Sequence, residues 1–151
     1  MGPVAAFFYC IGYFHVTLAT VEEYRILAFI TTLLSCLGII LGGTYHSQFT
    51  YLGLIGKIGS NTEMDDIKGN IKLLNFLSFI FMGIGALALA LLIIFNKTYY
   101  PVWAIVFTPI ILFLFSSIWT KLPQPFLSVV FGGWYNLMYV IYFGASLLLI
   151  S

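Results

Sequence analysis

Residues 26–56 contain no charged side chain. As a helix rising about 1.5 Å per residue, this stretch would be roughly 46 Å long. The hydrocarbon core of a bilayer is about 30 Å thick. A run of this kind is expected to lie in a membrane, and three further segments share its character. Lipid offers no hydrogen-bond partners, so only helices and closed barrels satisfy their backbone there. The runs are continuous and lack the period-two alternation of barrel strands, which selects helices. The expected fold class is therefore all-α, a polytopic transmembrane helical bundle.

Charged residues make up 7% of the chain, against about 25% in ordinary soluble domains. The net charge is +1, which leaves neither a basic face for nucleic acid nor an acidic tail. The expected surroundings are the lipid bilayer, with no nucleic-acid partner.

Five spans are expected, at about 3–20, 26–48, 73–94, 102–119 and 131–150, in one transmembrane domain covering 1–151. A polar connection from Lys57 to Lys72 holds Glu63, Asp65 and Asp66, and Asn96-Lys97-Thr98 forms a short turn. Leu122-Pro123-Gln124-Pro125 breaks the chain, because proline lacks an N–H donor and blocks helix continuation. The first span lacks the basic start and small-residue cleavage site of a signal peptide. With the N-terminus inside, the inner side holds Lys57, Lys68, Lys72 and Lys121, and the outer side Arg25 and Lys97. The excess of positive charge favours the N-terminus inside the cell and the C-terminus outside.

Small and polar residues at helical spacing predict the packing faces. In the second span these are Thr31, Ser35, Gly38, Gly42 and His46. Gly38-x-x-x-Gly42 lets another backbone approach closely. In the third, Asn75, Ser78, Met82, Gly85 or Ala86, and Leu89 share one face; in the fifth, Gly133, Asn136, Val140 and Gly144 do so. Trp103 and Trp119, at opposite ends of the fourth, read as interfacial aromatics.

Polar residues within a membrane are costly and point to function. His15 and His46 would lie roughly 22 Å apart along the bundle axis, so they cannot share a metal. No metal and no cofactor is expected, and Cys10 and Cys36 have no zinc-type spacing. His15 reads as a structural histidine near the outer surface. The inner end is richer: His46, Gln48, Asn75, Trp134 and Asn136 fall at about one depth and form the candidate ligand-binding set. The opposing reading is an interhelical hydrogen-bond cluster that locks the bundle, at roughly 0.6 kcal/mol per bond. No catalytic set stands out. No acid lies inside a span, and no Gly-x-Ser-x-Gly, His-Glu-x-x-His or P-loop motif is present.

Gly42-Gly43-x-x-His46 with Phe49, then Leu122-Pro123-x-Pro125, then Gly132-Gly133-x-x-Asn136 with an apolar tail resembles the C-terminal part of a family of uncharacterised bacterial multi-spanning membrane proteins. The resemblance implies a shortened member or fragment of a longer family, without an activity to carry over. Three functional expectations follow from the residues. The first is non-enzymatic binding of a lipid-like or small amphipathic ligand, or of a membrane protein partner. The second is a small-solute transporter or channel subunit, which needs a continuous polar path where only the inner half supplies one. The third is a membrane enzyme using His46 as acid or base, for which an acidic partner is missing.

Overall fold

The computed structural model describes residues 2–58, 61–119 and 121–150. Its elements are α1 (Gly2–Leu18), α2 (Arg25–Ile58), α3 (Asn61–Ile94), α4 (Pro109–Leu114), α5 (Ser116–Trp119) and α6 (Phe126–Ile150). Short 3-10 helices occupy Glu22–Tyr24 and Val102–Phe107. Among the described residues there is no strand, only an isolated bridge between Thr20 and Thr98. The fold is all-helical.

The count of spans differs from the expectation. Among the described residues three helices are long and apolar enough to cross a membrane: Glu22–Lys57, Asn61–Ile94 and Gly133–Ile150. The first expected span is a shorter helix of 17 residues, about 26 Å of rise. The fourth is not one helix. Pro109 disfavours the helical region for the residue before it, and Thr108 accordingly sits at φ −68°, ψ 150°. The chain therefore passes from a 3-10 helix into α4 through an extended residue, and turns again at Phe115 before α5.

The polar connection also differs. Helix α2 continues to Ile58 and α3 is helical from Asn61; positions 59 and 60 lie outside the described residues. Polarity alone does not end a helix, and no proline falls between 57 and 72. Glu63 in the first turn of α3 suits the positive end of the helix dipole. Asp65 and Lys68 pair at 3.2 Å, one turn apart on an exposed face.

Two ends of the bundle can be distinguished. At the hairpin end α2 turns into α3. At the loop end, the α1–α2 connection lies against the segment after α3. Val21 N–H donates to Lys97 O at 3.1 Å, and Tyr99 N–H to Ala19 O at 2.8 Å. Asn96 takes the left-handed conformation (φ 54°) that Asn tolerates at a helix C-terminus. The Lys97 N–H then reaches back to Leu92 O at 2.8 Å and satisfies a terminal carbonyl of α3. The Lys97 ammonium lies 4.4 Å from the centroid of the Tyr24 ring, and Tyr24 holds it above the ordinary lysine value.

Helices α2 and α3 meet through the expected small-residue faces. A Cβ on Gly38 would lie 2.7 Å from the Met82 backbone N and 2.9 Å from Ser78 O. Opposite, a Cβ on Gly85 would press on the backbone of Ser35. The Ser78 hydroxyl donates to Gly38 O at 2.7 Å, a bond available only because the backbones are so close. Helix α1 packs on α2 through Thr17 and Thr32, whose hydroxyls are 3.1 Å apart. Cys10 and Cys36 face each other there as free thiols, each Sγ 3.9–4.0 Å from the other residue's carbonyl oxygen.

Helix α6 does not pack by its expected glycine face. Val140 is 63% exposed, and a Cβ on Gly133 or Gly144 would meet nothing within 4 Å. Its buried residues are instead Trp134, Met138, Tyr139, Tyr142 and Ser146. The reason is the partner. Its neighbours α1 and the broken segment present Tyr9, Tyr13 and Trp119, which α6 meets with aromatic rings rather than close backbone contact. Trp134 Nε1–H donates to Leu112 O at 3.2 Å, and its ring meets Trp119 at 5.1 Å. Tyr139 and Phe143 pack on Tyr9 and Tyr13 of α1. Tyr9 bonds Asn136 and His15 bonds Ser146, so α1 and α6 run in the same direction.

Candidate functional site

Towards the hairpin end, α1, α2, α3 and α6 enclose a cavity of about 420 Å³. Each helix contributes polar atoms by helical spacing. Helix α2 brings Tyr45 and His46, about one turn beyond the close contacts at Gly38 and Gly42. Helix α3 brings Asn75 and Ser78, three residues apart. Helix α6 brings Tyr135, Asn136 and Tyr139, and α1 brings Tyr9. Asn75 and Tyr135 are half-buried, whereas His46 and Asn136 are exposed at the rim.

The Tyr9 hydroxyl donates to Asn136 Oδ1 at 2.7 Å and ties α1 to α6 across the cavity. Behind it, the Tyr9 ring stacks on Tyr139 with centroids 4.7 Å apart. The His46 imidazole meets the edge of Tyr45 at 5.0 Å. Ser78 Oγ is already engaged with Gly38 O and Met82 Sδ. Among the described residues no Asp, Glu, Lys or Arg lines the cavity. Its surface combines aromatic faces with amide, imidazole and hydroxyl groups of no net charge at neutral imidazole. This chemistry suits an uncharged polar head that both accepts and donates hydrogen bonds.

Of the residues expected from sequence, His46, Asn75 and Asn136 share this cavity wall. Gln48, half-buried, and Trp134, 7% exposed, are not among its lining. Trp134 is committed to Leu112 and Trp119 by packing. Tyr9 was missed, although a signal existed. Ala6, Tyr9, Tyr13, Val16 and Thr20 recur at spacings of three or four, which marks one face of α1.

No group of three or more His, Cys, Asp or Glu among the described residues is placed to hold a metal ion. His15 and His46 remain apart: His15 Nδ1 lies 2.8 Å from Ser146 Oγ near the loop end. The whole chain, residues 1–151, matches one family model. The chain belongs to DUF6796, a family of unknown function. An uncharacterised family is what the Gly-Gly and Leu-Pro-x-Pro motifs implied, and the match to DUF6796 runs the length of the chain. No curated protein and no solved structure matches it.

Proposed function

We propose that this DUF6796 chain is an integral membrane protein that binds a small amphipathic ligand with an uncharged head, without catalysing a reaction. The membrane placement is supported by the outward faces of the helices. Phe7, Phe8, Ile11, Phe14 and Leu18 on α1, and Leu147 and Leu148 on α6, are all more than half exposed. Contiguous apolar surface on this scale is rare in soluble monomers. Lys57, Lys68, Lys72 and Lys121 belong to the hairpin end and Arg25 and Lys97 to the loop end, so the hairpin end and the N-terminus are assigned to the cytoplasm. In a variant lacking Cys10 and Cys36, Gly69→Cys is expected to resist an impermeant maleimide in intact cells, while Tyr99→Cys reacts. Labelling at position 69 from outside would reverse the orientation.

The observation that carries the ligand reading is the gathering of His46, Asn75 and Asn136 around one uncharged cavity. Its volume falls in the range of small-molecule sites, roughly 300–1,000 Å³. That holds a head group and the start of a chain, leaving the tail along the exposed apolar faces. The enzyme reading lacks an acidic partner, because among the described residues no carboxylate lines the cavity beside His46. Binding is tested by thermal shift and native mass spectrometry in detergent, comparing diacylglycerol with phosphatidylglycerol. Diacylglycerol is expected to raise the melting temperature, and phosphatidylglycerol to have little effect. His46→Gln is expected to stay folded and lose about tenfold in affinity, the equivalent of about 1.4 kcal/mol. Tighter binding of the anionic lipid, or an unchanged affinity in His46→Gln and Asn136→Leu alike, would remove the cavity as the site.

A further inference from the structure

The half of the bundle beyond the cavity is expected from sequence to be apolar, yet a column of buried hydroxyls runs through it. Helix α6 carries Asn136, Tyr139, Tyr142 and Ser146 at intervals of three or four residues, about 15 Å of rise. Tyr139, Tyr142 and Ser146 are each at most 4% exposed. Tyr13 of α1 is 1% exposed and packs between them, its ring centroid 6.0 Å from both Tyr139 and Tyr142. The column begins at the cavity, where Tyr9 bonds Asn136 and stacks on Tyr139. It ends near the loop end in a bonded relay. The Tyr100 hydroxyl is 2.5 Å from Ser146 Oγ, and Ser146 Oγ is 2.8 Å from His15 Nδ1.

One hydroxyl of the column has no bond to its neighbours. The Tyr142 phenol is buried and has no hydrogen-bond partner among the described residues. Packing alone would favour phenylalanine there, which fills nearly the same space without a polar atom to desolvate. Tyr142, Tyr100 and Ser146 together line a void of about 10 Å³. One water needs roughly 10–15 Å³ and two to four polar partners, and this void has three hydroxyl-bearing residues on its wall.

We propose that this column is a proton path between the cavity and the loop end, closed by one water held among Tyr142, Tyr100 and Ser146. Between Tyr9 and Tyr142 the phenols are joined through water entering from the cavity. Each oxygen accepts a proton as it passes its own to the next, so charge crosses while every hydroxyl ends neutral. At the loop end His15 takes a proton from outside on one ring nitrogen and passes one to Ser146 from the other, the direction an inside-negative potential drives with the cavity at the cytoplasmic end. The hydroxyls then rotate to restore the starting pattern. Nothing is oxidised or reduced, and the membrane potential supplies the drive. The path needs water in the cavity and no ligand.

The test uses the full chain in phosphatidylcholine vesicles containing a pH-sensitive dye, with a potassium gradient and valinomycin setting the potential. The expected result is acidification well above that of protein-free vesicles. Tyr142→Phe is expected to cut the rate at least tenfold while keeping or raising the melting temperature, since the hydroxyl it removes bonds no protein group among the described residues. Leu147→Ala, on the exposed face of the same helix, is expected to conduct normally. Should Tyr142→Phe fail to fold, Tyr100→Phe removes the hydroxyl across the void and is read in the same way. Wild-type flux no greater than the vesicle leak, or a folded hydroxyl-deleted variant that conducts like wild type, overturns the proton path.

Discussion

Gly38→Leu is expected to give the largest loss of stability of any single change on α2. The position has no room for even a methyl group, because a Cβ there meets backbone atoms of Met82 and Ser78 at 2.7 and 2.9 Å. Backbone cannot rotate aside as a side chain can, so α2 and α3 must separate. The separation also breaks the Ser78 hydroxyl bond to Gly38 O and the burial of Ser35, Leu89 and Ile93. Overpacking in cores costs roughly 1–3 kcal/mol and occasionally more, and this case belongs at the upper end. The measurement is the melting temperature and the monodisperse fraction in detergent. Gly83→Leu is the control: it lies on the same helix as Gly85 but has nothing within 4 Å of its Cβ position. Comparable melting temperatures for the two variants would contradict close backbone packing as the basis of the α2–α3 pair.

Trp134→Ala is expected to cost roughly 3–5 kcal/mol, the range for removing a large buried aromatic. The side chain is 7% exposed and joins α6 to the broken segment through Leu112 O and the Trp119 ring. Its loss leaves that segment, which has no long helix of its own, without its main anchor. Affinity of the folded fraction for a cavity ligand is expected to stay unchanged, because Trp134 stands outside the cavity wall. Weakened binding in protein that melts normally would return Trp134 to the site.

The all-helical character of this chain, and the run of small residues that joins α2 to α3, were legible in the residues. Both depend on local pattern: continuous apolar stretches select helices, and Ser35, Gly38, Ser78 and Gly85 recur at helical spacing whatever surrounds them. The gathering of His46, Asn75 and Asn136 was legible for a similar reason, since helix rise places residues at a common depth once the turns are known.

Other features required the assembled bundle. Pro109 supplies the local reason for the break at Thr108, but that the segment stays broken and packs against α6 through Leu112 and Trp119 was decided by the assembled bundle. The inward face of α6 went to aromatic residues because it meets Tyr9 and Tyr13 of α1 and Trp119 of the broken segment, and which helices become neighbours belongs to the whole arrangement. Tyr9, Tyr13, Tyr142, Tyr100, Ser146 and His15 come from three stretches far apart in sequence. They share one core because α1 and α6 lie side by side in the same direction, while the segment after α3 folds back against both. Helical periodicity orders residues along one axis; only the packing of several axes decides which polar groups share a core.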